Sequence, residues 1–173
     1  MKHLVLIVLF SMLSCKNEVK TPPMAEAKPI LEQQTELEIY DYPSLEPFLN
    51  KNDDKTYIVN FWATWCAPCV KELPFFERIG EQYKDKNIEV ILVSLDFPRQ
   101  YDSRLKPFIA EKKLKSKVIA LNDVNANDWI PKVNEDWTGA IPATLIYNKE
   151  KRQFYEQSFS YEQLENQIKQ FLN

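Results

Sequence analysis

The chain has 173 residues, of which 45% are hydrophobic and 27% charged, with a formal net charge of −3. That length accommodates one domain whose core needs neither a metal nor several disulfides, and its interspersed charges mark neither a nucleic-acid footprint nor a polybasic membrane patch. His3 is the only histidine and Gly80 and Gly139 the only glycines, which excludes a phosphate-cradling loop, a dinucleotide fingerprint and a Cys–His nucleophile pair.

In chain order, Lys2 and His3 precede the apolar stretch Leu4 to Leu13, then Ser14 and Cys15, the order of a bacterial export signal. The stretch is short of the ~20 residues that span a bilayer. Met12-Leu13-Ser14-Cys15 resembles a lipoprotein signal, which implies that residues 1–14 are removed and that Cys15 carries the lipid, tethering the mature chain by acyl chains. The alternative is a general secretory signal in which Cys15 is discarded. Both place the domain outside the cytoplasm. Residues 15–37, rich in Glu, Lys, Pro and Gln, have the composition of a flexible linker.

The structured domain is expected over 38–173. It begins with a short strand at Glu38–Tyr40 and a helix at Ser44–Asn50. Thr56–Trp62 and Ile88–Leu95 are β-branched apolar runs suited to strands buried on both faces. Between them Val70, Leu73, Phe76, Ile79 and Tyr83 recur at helical spacing, predicting a helix over Cys66–Tyr83 kinked at Pro74. Ser103–Lys115 reads as a helix burying Leu105, Phe108 and Ile109, with Lys112, Lys113 and Lys115 in water. A strand at Lys117–Leu121 and a short helix at Val124–Val133, stopped or bent at Pro131, follow. Ala143–Tyr147 and Arg152–Phe159 form a hairpin pattern. Ser160 and Gln163 make a capping box, opening a helix with Leu164, Ile168, Phe171 and Leu172 on one face. Strands alternating with helices, then a hairpin and a closing helix, predict an α/β fold with a central mixed sheet flanked by helices on both faces.

The chemistry concentrates in Trp65-Cys66-Ala67-Pro68-Cys69, where a strand delivers two thiols to the start of a helix. A helix N-terminus favours thiolate, so Cys66, at the exposed end, is the expected nucleophile and Cys69, one turn later, the resolving thiol. A structural disulfide or half of a zinc site is the alternative. A two-residue loop gains little from cross-linking, however, and zinc would need about four ligands in a mature chain without histidine. Glu72, three residues after Cys69, falls on the same helix face. Phe61, Trp62, Trp65 and Pro68 are the expected apolar surround of the thiols, and Trp129 and Trp137 are expected in the core, with Trp137 near enough to the site to line a groove.

Asn60-Phe61-Trp62-Ala63-Thr64-Trp65-Cys66-Ala67-Pro68-Cys69 and, later, Gly139-Ala140-Ile141-Pro142-Ala143-Thr144 resemble the thioredoxin superfamily, in its extracytoplasmic TlpA/ResA-like branch. The resemblance implies a thioredoxin fold and a dithiol that reduces protein disulfides without any further cofactor or metal. It implies a cis peptide at Pro142, with the Ile141 backbone free to pair with an extended substrate, and an active-site role for Glu72. Asn60 stands where cytoplasmic thioredoxins have a buried aspartate, which leaves proton handling to another acid. Trp65, Ala67, Pro68, Ile141 and Pro142 are the expected substrate contacts. The implied partners are disulfide-bearing client proteins and a membrane thiol-electron donor. Two other functions compete: a thiol peroxidase on the same scaffold, which would want a threonine where Ala63 stands, and a non-catalytic client-binding lipoprotein.

Overall fold

The computed structural model describes residues 36–172; the expected signal segment, Cys15 and the linker up to residue 35 lie outside them. The described elements run β1 (Glu38–Tyr40), α1 (Tyr42–Leu45), β2 (Thr56–Trp62), α2 (Ala67–Gln82), β3 (Ile88–Ser94), α3 (Lys106–Lys112), β4 (Lys117–Leu121), α4 (Ala126–Val133), β5 (Ala143–Tyr147), β6 (Arg152–Tyr155) and α5 (Tyr161–Lys169). They build one six-stranded sheet in the order β1-β4-β3-β2-β5-β6. The first four strands in that order are mutually parallel, whereas β5 runs antiparallel to β2 and β6 antiparallel to β5. The sheet is therefore mixed, as expected.

Every residue of β2 is buried, because strand alternation sends its side chains into two separate cores. Tyr57, Val59 and Phe61 join Tyr42, Leu45 and Leu49 from α1 and the turn after it, with Trp129 and Val133 of α4. Ile58 and Trp62 join Cys69, Leu73, Phe76 and Ile79 of α2, Leu105 before α3, and Leu164 and Ile168 of α5. Each fully buried large side chain contributes roughly 1.5–3 kcal/mol, so both cores are substantial. The same alternation corrects one expectation: Phe61 faces the core away from the thiols, whereas Trp62 shares theirs.

Four elements depart by more than one residue from the bounds expected. The first helix starts earlier because the Asp41 carboxylate caps it, accepting from the Ser44 N–H at 3.0 Å, and it tightens into a 3₁₀ turn over Glu46–Leu49. The α-helical part of Ser103–Lys115 is confined to Lys106–Lys112. Pro107 cannot donate to the carbonyl of Ser103, and the chain before it follows a wider π turn over Tyr101–Leu105. The helix after β4 starts at Ala126 and carries Pro131 inside it before ending at Val133. The last strand stops at Tyr155, and Phe159 turns its N–H to the Glu72 carboxylate at 2.8 Å. Helix α2 continues through Pro74, and the capping box at Ser160 and Gln163 is formed in both directions. Among the described residues no helix is long and apolar enough to cross a membrane.

Candidate active site

Three chain ends meet at one edge of the sheet. The pairings Trp62↔Ser94 and Phe61↔Ala143 bring the C-terminal ends of β2 and β3 beside the N-terminal end of β5. The loops that leave these ends carry the cysteines, Asp96 and Pro142.

Cys66 is the N-cap of α2, its Sγ accepting from the Cys69 N–H at 3.3 Å, and the two cysteines are joined as a disulfide. This contact gives Cys66 sulfur the anion-stabilising position that a helix N-terminus offers. Cys66 is 6% exposed and Cys69 fully buried, while Trp65, Ala67 and Pro68 around them are exposed. The sulfur open to a partner is thus that of Cys66. Ile141 is half-buried and Pro142 buried, and the peptide bond between them is cis. The Ile141 carbonyl oxygen lies 3.7 Å from Cys66 Sγ. The seven expected site residues Trp65, Cys66, Ala67, Pro68, Cys69, Ile141 and Pro142 therefore meet in one place.

Glu72 lies one turn beyond Cys69 on α2 and is 1% exposed. Its carboxylate accepts from the Phe159 N–H at 2.8 Å and from Asn60 Nδ2 at 3.1 Å. Burial disfavours the charged form and pushes its pKa up to about 7, although both hydrogen bonds oppose the shift. Asn60 is fully buried and also donates to Thr144 Oγ1 at 3.1 Å. It supplies a donor to Glu72 and carries no proton of its own to exchange.

Asp96 is a residue that sequence reasoning missed. Only 2% exposed, it accepts from the Thr64 N–H at 2.9 Å, the Thr64 hydroxyl at 2.5 Å and the Ser94 hydroxyl at 2.9 Å. Arg104 closes the same turn by donating to the Thr64 carbonyl at 3.1 Å. Together they fix Thr64, two residues before Cys66. The available signal was a carboxylate two residues after a largely apolar strand. Phe97 was missed as well: it is 51% exposed and stacks on Trp65, itself 47% exposed, with ring centroids 6.3 Å apart.

The loop before Pro142 is held from two sides. Trp137 is buried against Phe61 and Trp129, and its Nε1 donates to the Ala140 carbonyl at 2.8 Å. It supports the loop from within the core and lines no groove. From outside, Glu156 accepts from the backbone N–H groups of Thr138 and Ala140 and from the Thr138 hydroxyl. Gly139 takes φ +93°, which favours glycine, and a Cβ there would sit 3.1 Å from Ile130 Cδ1. No group of three or more His, Cys, Asp or Glu side chains that could hold a metal occurs among the described residues.

Residues 38–152 match the AhpC/TSA family profile. The thiol-disulfide oxidoreductase ResA of Oceanobacillus iheyensis is 34% identical over 94 residues, 54% of this chain and 48% of the relative. The chain thus spans about half the length of that curated relative. Among solved structures, the thioredoxin domain of a thiol-disulfide oxidoreductase from Bacteroides vulgatus is 26% identical with a TM-score of 0.53, covering 69% of this chain and 81% of that one. A thioredoxin-family thiol:disulfide interchange protein from Chlorobium tepidum superposes with a TM-score of 0.57 at 19% identity, again over 69% and 81% of the two chains. The sheet order, the dithiol at the start of α2 and the match over most of the described residues lead to one conclusion: the chain belongs to the AhpC/TSA family and has the thioredoxin fold.

Proposed function

We propose that the chain is a thiol–disulfide oxidoreductase of the bacterial cell envelope, anchored through a lipidated Cys15, that reduces disulfides in client proteins. Residues 1–14 would be its signal, 15–37 its linker and 38–173 its catalytic domain. The observation that carries this reading is the order of burial from the N-cap into α2: Cys66 slightly exposed, Cys69 fully buried behind it, and the buried Glu72 with a pKa of about 7 one turn further on.

In the reduced protein the Cys66 thiolate attacks one sulfur of the client disulfide, forming a mixed disulfide and releasing the first client sulfur as thiolate. Cys69 gives its proton to Glu72 and attacks Cys66 Sγ. The Cys66–Cys69 bond closes and the second client sulfur leaves, so the client gains two electrons and the dithiol is oxidised. A membrane thiol-electron donor resets it. Trp65, Ala67 and Pro68 surround the reacting sulfur, and Ile141 offers its backbone to the client.

The reducing direction follows from charge. Ala67 and Pro68 place no cation between the cysteines, and an ionised Glu72 opposes thiolate formation. Ala63 has no hydroxyl to offer a peroxide, which weighs against peroxidase chemistry. The test is insulin reduction together with the potential of the couple. Wild-type protein is expected to reduce insulin, Cys66→Ser to lose that activity, and the potential to fall nearer the roughly −270 mV of reducing dithiols than the about −120 mV of a strong oxidant. Inactive wild type, or a potential at the oxidising end, would overturn the proposal.

A further inference from the structure

The loop from Trp137 to Pro142 brings its Ile141 carbonyl beside Cys66 Sγ, and the two residues Thr138 and Ala140 of that loop are already engaged. The Ala140 N–H donates to Glu156 Oε1 at 2.9 Å and the Ala140 carbonyl accepts from Trp137 Nε1 at 2.8 Å. The Thr138 N–H donates to Glu156 Oε2 at 3.1 Å, and its hydroxyl also donates to the carboxylate. Ile141 differs. Among the described residues its N–H has no acceptor, and its carbonyl meets only Cys66 Sγ.

We infer that Glu156 is a positioning residue for client capture: by engaging Thr138 and Ala140 it holds the loop rigid and keeps Ile141, the loop residue beside Cys66 Sγ, in place to pair with a client backbone. The inference rests on the proposed oxidoreductase activity. Three physical points support it. A half-exposed loop containing glycine would otherwise bear the full conformational cost of ordering when a client arrives, a cost a preformed loop avoids. Carboxylate-to-N–H bonds are charge-assisted and stronger than neutral ones. Glu156 follows β6, the strand hydrogen-bonded to β5, so its anchor is the sheet itself. The client it favours is an extended segment with one accessible backbone N–H and C=O next to its cysteine, not a long strand added to an edge.

The test uses the full chain and compares wild type, Glu156→Gln and Thr138→Val. In Glu156→Gln the amide NH₂ faces the Thr138 N–H as donor against donor, so both oxygens cannot be replaced. The KM for insulin is expected to rise roughly 5- to 10-fold in Glu156→Gln, with kcat, the potential of the couple and the rate with 5,5′-dithiobis(2-nitrobenzoate) unchanged, because that small disulfide has no backbone to pair. Thr138→Val, which keeps both backbone bonds, is expected to shift KM less. Amide hydrogen exchange at Thr138 and Ala140 should be slow in wild type and accelerate in Glu156→Gln, a readout independent of turnover. A cysteine peptide series N-methylated one residue at a time should lose capture at one position only.

An unchanged insulin KM in Glu156→Gln, fast exchange at both amides in wild type, or capture lost at two alternate peptide positions would overturn the inference while leaving the oxidoreductase reading intact. Equal losses with insulin and the small disulfide would overturn it too, by marking a general structural role. Wild type that reduces neither substrate would overturn the activity first, and the inference with it.

Discussion

Glu72 and Glu156 both accept backbone N–H hydrogen bonds beside the disulfide, and their surroundings give them opposite characters. Glu72 is buried between α2, Asn60 and the start of α5, and desolvation carries its pKa up to about 7 against two opposing hydrogen bonds. Glu156 is half-exposed, and the bonds from Thr138, chiefly its hydroxyl, hold its carboxyl below the usual carboxylate range. The difference is burial, not the number of hydrogen bonds: water near Glu156 preserves its charge, and its absence around Glu72 penalises it. A group titrating near neutrality can pass a proton, whereas a permanent anion can only hold a loop.

That contrast predicts a large difference in turnover. Glu72→Gln is expected to slow insulin reduction by about 100-fold, the scale of a lost proton acceptor, and to remove the limb near pH 7 from the rate profile. The thiol titration should also shift to lower pH once the nearby negative charge is gone. Glu156→Gln should keep that limb. Rate profiles of the two variants that cannot be told apart would contradict the assignment.

Next in size is Asn60→Asp, which sets a second carboxyl against Glu72. Two like charges in one buried site cannot both ionise easily, so the upper pKa of the pair is expected to rise by roughly 1–2 units and to be shared between them. The rate limb should move upward with it. An unmoved limb would mean that Glu72 does not set it.

A smaller effect concerns stability. Glu72 ionises near its ordinary 4.5 when unfolded and near 7 when folded, so between those values the native state binds more protons. The stabilisation from its neutral form is therefore complete below about pH 4.5 and is lost as pH rises toward 7, by about 3 kcal/mol in all. Glu72→Gln should gain on wild type by up to that amount at pH 8 and very little at pH 4, read by denaturant unfolding of the oxidised protein. Parallel pH dependences would contradict the burial argument. The smallest effect is that of Gly139→Ala, where the left-handed φ and the contact with Ile130 should cost about 1 kcal/mol; no loss in denaturant would mean the loop relaxes freely.

Much of the fold was legible because its signals are local. The strands Glu38–Tyr40, Thr56–Trp62, Lys117–Leu121 and Ala143–Tyr147 coincide with the runs read from sequence, and the Ser160 capping box is a contact between near neighbours. Glu72 was readable as a helical neighbour of Cys69. What escaped depends on partners distant along the chain. Asp96 binds Thr64, 32 residues away, and Glu156 binds Thr138, 18 residues away, so neither leaves a periodic trace. The overlong last strand failed for the same reason, since the Phe159 N–H is taken by Glu72, 87 residues upstream. Phe61 was placed on the wrong side through counting proximity in sequence where strand alternation decides.

The most direct test is the titration of the Glu72 carboxyl itself, followed by carbon-13 NMR in the oxidised and reduced protein. In the disulfide form the midpoint should lie near 7. On reduction it should couple to the Cys69 thiol, giving two macroscopic steps shared by the pair. A midpoint near the ordinary 4.5 in both forms, unmoved by reduction, would show that Glu72 is neither desolvated nor linked to the thiols and would contradict the proton-handling role assigned to it.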